Sequence, residues 1–81
     1  MNKYEVIREG VPDFTGDSVL VKVGGLHYVA SYLESLDETV IFATDATGGL
    51  DWARLIENDP NDFTFVGTGM YAALDAWLSE S

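Results

Sequence analysis

The sequence predicts an α+β domain: a mostly antiparallel sheet of five or six short strands with a C-terminal helix packed on one face. Three observations lead there. The chain has 81 residues, 47% of them hydrophobic, with 2 Trp, 4 Tyr and 4 Phe, which suffices for one core and leaves no room for a second. Short runs of β-branched and aromatic residues alternate with Gly, Pro and Asx punctuation, the pattern of strands and turns. The last twelve residues instead place their apolar side chains at helical spacing.

In chain order, YEVIR at 4–8 is rich in β-formers, and VPDFTGD at 11–17 carries Pro12, Gly16 and two Asp, which is loop chemistry. SVLVKV at 18–23 alternates poorly but is dense in valine. Gly24-Gly25 is the kind of pair that closes a tight hairpin, here onto LHYVASYL at 26–33. ESLDE at 34–38 is polar and turn-like, and TVIFAT at 39–44 makes a good central strand. DATGGLD at 45–51 is loop. WARLIEN at 52–58 stays open: Trp52, Leu55 and Ile56 fit a helical stripe with Asp51 as N-cap, yet the segment is short for a helix. NDPND at 58–62 is a turn, DFTFV at 62–66 alternates as a half-buried strand, and GTG at 67–69 ends it. Met70, Tyr71, Leu74, Trp77 and Leu78 then form one helical stripe, with Asp75 and Glu80 off it and Thr68 as cap.

Charge narrows the function classes. Four Lys plus Arg face fourteen Asp plus Glu, a net charge of −10. Direct binding to DNA or RNA is not expected, because phosphate contact needs clustered Lys and Arg. Such a surface repels nucleic acid and attracts basic proteins. The chain has no cysteine, so neither a disulfide framework nor a thiolate zinc site is possible, and a cytoplasmic setting in a host bacterial cell is expected. No apolar run reaches the roughly 18 residues of a membrane span.

Catalytic candidates are few, and no enzyme is expected. His27 is the one histidine and alternates with apolar neighbours, as structural histidines do. Ser18, Ser31 and Ser35 lack the signature of an activated nucleophile. Residues 57–62 alternate oxygen ligands, but without the sixth-position glycine and twelfth-position glutamate of a calcium loop they read as an Asx-Pro turn. No metal and no cofactor are expected.

What remains is binding. Duplex DNA carries about one charge per 1.7 Å of axis, and a small rigid acidic protein can offer carboxylates at comparable density to an enzyme's DNA groove. Glu34, Asp37, Glu38, Asp45, Glu57, Asp59 and Asp62 are the candidates for a phosphate-like row.

Around these acids the chain resembles the phage-encoded uracil-DNA glycosylase inhibitor family, small acidic proteins that imitate DNA. Tyr32, Glu34, Ser35, Asp37, Glu38, Val40 and Thr44 form the ungapped pattern, and Trp52-Ala53, Leu55-Ile56 and Glu57-Asn58 continue it after a one-residue length difference. The resemblance covers about thirty of the 81 residues. It implies a five-stranded antiparallel sheet with residues 52–57 as a strand, and an apolar pocket involving Ile41, Ala43 and Leu55 that captures a protruding leucine of the target. VIRE at 6–9 is similar to the family's first strand, which makes Glu9 a counterpart of its key glutamate. The segment after that strand reads as β where the family has a helix, and the C-terminal helix has no counterpart. The expectation is therefore a small acidic DNA mimic, phage-encoded in origin, that blocks a basic nucleic-acid-binding protein. The partner is a uracil-DNA glycosylase, or a defence nuclease complex as for an anti-CRISPR or anti-restriction inhibitor. The alternative is a non-enzymatic assembly subunit that associates through Trp77, Tyr71 and Met70.

Overall fold

The computed structural model describes residues 4–11, 14, 17–53, 63–66 and 69–80. Its elements are β1 (Glu5–Glu9), β2 (Asp17–Val23), β3 (Leu26–Leu33), β4 (Glu38–Thr44), β5 (Phe63–Val66) and α1 (Met70–Glu80). The four strands β1 to β4 make the body of the sheet and short β5 pairs with the outer side of β4. Strand order follows chain order, and every neighbouring pair is antiparallel. The α+β class, the antiparallel sheet and the C-terminal helix are those the sequence predicts.

Local chemistry explains the turns. Gly24 and Gly25 have φ of 55° and 85°, the positive values at both centres that a two-residue hairpin requires, and Val23 closes the hairpin opposite Leu26. Between β3 and β4 the chain turns through residues 34–37 with Leu36 and Asp37 amides donating to the Leu33 and Glu34 carbonyls. Asp37 ends that turn at φ 53°, a left-handed conformation that Asp tolerates better than most residues.

Register sorts the side chains onto two faces. Val19, Ala30 and Ile41 lie in one cross-strand row, and with Val21 they meet Leu74 of α1. These five are fully buried, each large one contributing about 1.5–3 kcal/mol by removal from water. Trp77 packs edge-on against Tyr28 at 4.8 Å. On the other face Leu20 and Val29 are covered by Val11 and flanked by Phe14, whose ring sits 5.5 Å from Phe42. Strand β2 is thus buried on both sides from Ser18 to Val21, which is why its sequence runs Ser-Val-Leu-Val without alternating.

One implication of the family resemblance, a strand over residues 52–57, is corrected here at its first two residues. Residues 52 and 53 are helical, not the start of a strand, and Asp51 precedes them as the local reading for an N-cap predicts. The neighbour of β4 is β5, in register from Glu38 opposite Val66 to Ile41 opposite Phe63. Residues 54–60 lie outside the described residues. Among the described residues, no helix is long and apolar enough to cross a membrane.

Candidate functional site

Antiparallel order brings distant acids to one end of the sheet. That end holds the last residue of β1, the first of β2, the turn joining β3 to β4, and the first residue of β4. Glu9, Asp17, Glu34, Asp37 and Glu38 occupy those places. Glu38 is half-buried and the other four are exposed. Three interstrand spacings separate β1 from β4, so the acids spread over about 14–15 Å. Lys22 and His27 face each other near the opposite end. Arg8 pairs with Leu20 while Glu9 pairs with Val19, which puts the arginine on the other face from its neighbouring glutamate.

The turn is internally braced. The Tyr32 hydroxyl donates to Asp37 Oδ1 at 2.5 Å. That bond, with burial and the charges of Asp37 and Glu34 adding to it, pushes the Tyr32 hydroxyl above its usual range. Asp37 is therefore held in place, and Glu34 projects from the first turn position. Leu36, 61% exposed, stands between them.

Asp45 proves to be a fold-forming acid. Its Oδ1 accepts hydrogen bonds from the Thr47 amide at 2.8 Å, the Thr47 hydroxyl at 2.7 Å and the Gly49 amide at 3.0 Å. The Asp45 amide in turn donates to the Gly49 carbonyl at 2.8 Å. These donors, the Thr47 side chain foremost, hold the carboxyl below the usual carboxylate range. A lowered pKa stabilises the fold above the unfolded-state value, and that contribution is lost as pH falls through the lowered one. Loop 45–50 also lies at the opposite end of the sheet from the β3–β4 turn, so Asp45 does not join the acidic end.

The expected apolar pocket is closed. Ile41 and Ala43 are 0% and 1% exposed, and Ile41 belongs to the core capped by Leu74 of α1. Sequence alternation puts both residues on one face of β4 but does not reveal that the C-terminal helix covers that face. Leu55, Glu57, Asp59 and Asp62 lie outside the described residues.

One feature has no counterpart in the sequence reading. A cleft of about 410 Å³ opens between α1 and the β1–β2 corner, lined by Glu9, Gly10, Asp17, Ser18, Met70 and Tyr71. The Tyr71 hydroxyl donates to Glu9 Oε2 at 3.0 Å. Burial first, and that bond second, raise the Tyr71 pKa. Glu9 was indicated only by the family resemblance and Asp17 by nothing local, because the two meet only once β1 and β2 pair.

The remaining candidates fall into place as packing. His27 is half-buried opposite Lys22 and Thr44 and is absent from the cleft lining. Met70 and Trp77 are half-buried and pack against the buried core, while Tyr71 is 39% exposed. Among the described residues, no group of three or more His, Cys, Asp or Glu is arranged to hold a metal ion. Comparisons with protein-family models, with curated proteins and with solved structures returned no match.

Proposed function

We propose that this chain is a small acidic inhibitor that sets its carboxylate-bearing sheet end against the basic nucleic-acid site of a DNA enzyme, taking the place of DNA there. The observation that carries this reading is the gathering of Glu9, Asp17, Glu34, Asp37 and Glu38 at one end of the sheet, on a protein of net charge −10. Carboxylates carried on a paired sheet start from a preorganised backbone, and complementary charge speeds encounter and fixes register. In this reading the protein performs no chemistry: it acts by occupancy, in a bacterial cytoplasm, on a glycosylase or on a defence nuclease.

The test is competition. Increasing amounts of the protein are added to purified uracil-DNA glycosylase and, separately, to RNA-guided or restriction nucleases, across a salt series. Inhibition competitive with DNA that weakens steadily as salt rises is the expected result. The triple substitution Glu34→Gln, Asp37→Asn, Glu38→Gln removes charge yet leaves an acceptor oxygen for Tyr32. Inhibition that is unchanged in this variant, or indifferent to DNA concentration, refutes the proposal.

A further inference from the structure

The cleft beside α1 has a definite chemical character. It is lined by Met70 and Tyr71 of α1 and by Glu9, Gly10, Asp17 and Ser18 of the β1–β2 corner. Gly10 adopts φ +78°, and a Cβ placed on it would meet no atom within 4 Å, so the space there is open. The corner is fixed by the Gly10 amide donating to the Ser18 carbonyl at 2.8 Å. Glu9 is further oriented by Tyr71. At about 410 Å³ the cleft lies within the range of small-ligand sites, about 300–1,000 Å³.

A lining that combines Met70 and Tyr71 with two carboxylates, Glu9 and Asp17, matches a side chain that is apolar along its stem and cationic at its tip. We propose that this cleft receives an arginine side chain of the basic partner, a reading that rests on the inhibitor function above. The methylene stem lies along Met70, as such stems do on apolar surface. The planar guanidinium faces the Tyr71 ring and divides its donors between Glu9 and Asp17, which stand on adjacent strands. A fork of five donors reaches two separated carboxylates where a point-like ammonium reaches one well. The family resemblance expects the opposite contact, an apolar pocket on β4 taking a leucine; that position is filled core, and the open cleft sits on the same face at the β1–β2 edge.

The experiment uses the full chain and Nα-acetyl-arginine amide as probe, with the neutral citrulline analogue and the lysine analogue as comparisons, followed through backbone amide chemical shifts. Saturable shifts at Glu9, Gly10, Asp17, Ser18, Met70 and Tyr71 are expected with arginine, weaker ones with lysine and none with citrulline. Replacing both acids, Glu9→Gln with Asp17→Asn, weakens arginine binding about tenfold or more, since the charge assistance lost from each hydrogen bond is worth about fivefold and Gln and Asn keep an acceptor oxygen. The charge-matched pair Glu5→Gln with Asp75→Asn, both exposed and outside the cleft, leaves it within about twofold. Equal shifts with citrulline, or shifts spread evenly over every exposed acid, overturn the proposal. The two readings fail separately: an inhibited enzyme together with a silent cleft removes the arginine site and leaves the inhibitor. A cleft that binds arginine on a chain that inhibits no enzyme supports the site and removes the inhibitor.

Discussion

Gly48→Ala should be among the most damaging single-methyl additions this chain can suffer. Gly48 is buried at φ +93°, and a Cβ there would stand 2.9 Å from Val11 Cγ1, with Val29 and Leu20 methyls also near. The backbone alone costs an L-residue about 1–2 kcal/mol in the left-handed region. Forcing a methyl into a packed core costs about 1–3 kcal/mol more, and Val11, β-branched and 3% exposed, has little freedom to turn away. The combined loss is about 2–5 kcal/mol against a total stability of about 4–12 kcal/mol for a domain this size. Gly25→Ala supplies the internal control, because φ +85° is nearly the same but nothing lies within 4 Å. Urea unfolding followed by tryptophan fluorescence reads both variants, with half-buried Trp77 as the main reporter and Trp52, 63% exposed, contributing little. The excess loss of Gly48→Ala over Gly25→Ala isolates the contact with Val11. In a double-mutant cycle, Val11→Ala should relieve Gly48→Ala by about 1 kcal/mol or more. If Gly48→Ala and Gly25→Ala lose stability equally, within about 0.5 kcal/mol, Gly48 does not pack against Val11, Leu20 and Val29 as the structure places it.

Leu74→Ala, which empties the centre of the helix-covered face, should cost about 2–5 kcal/mol in the same urea assay, and a loss under about 1 kcal/mol would mean that α1 is not anchored there. The hydroxyls of Tyr4, Tyr32 and Tyr71 all titrate above their ordinary value of 10.0. Their contribution to stability is whole below pH 10.0 and drains away as pH rises through the higher folded-state values. Thermal melts should therefore fall on the alkaline side, and Tyr32→Phe should flatten part of that fall; a melt unchanged through the tyrosinate titration, read by ultraviolet absorbance, contradicts the assignment.

Much of this fold was legible because local chemistry and global packing agree at particular residues. Gly24-Gly25 demands a turn that few other pairs permit, the stripe from Met70 to Leu78 buries Leu74 and Leu78 as its spacing predicts, and TVIFAT is a strand with both faces covered or partly covered. At Trp52 the local chemistry allowed a helix capped by Asp51 and the resemblance implied a strand; residues 52 and 53 are helical, and residues 54–57 lie outside the described residues. The role of Asp45 had a readable signal, the Asp-x-Thr-x-Gly spacing of a side chain that caps its own turn. The cleft had none. Glu9 and Asp17 are separated by the whole β1–β2 connection, and only strand pairing together with the arrival of α1 sets them on one wall.

The structure also divides the carboxylates by what they already do. Asp45 spends its oxygen on its own loop, and a partner that claimed it would have to displace three donors. Asp37 shares its oxygen with Tyr32, and Glu9 with Tyr71; a single hydroxyl donor fixes the side chain and leaves lone pairs for a second donor. No such internal contact restrains Glu34 or Asp17 among the described residues, so they can follow an approaching cation. Under the proposed inhibitor function, a partner's basic side chains would meet two oriented acids, Glu9 and Asp37, each beside an adaptable one, at the two ends of a row that runs from β1 to β4. That arrangement differs from a diffuse acidic surface in a measurable way: removing one oriented acid costs more affinity than removing one adaptable acid, although each change alters the net charge equally.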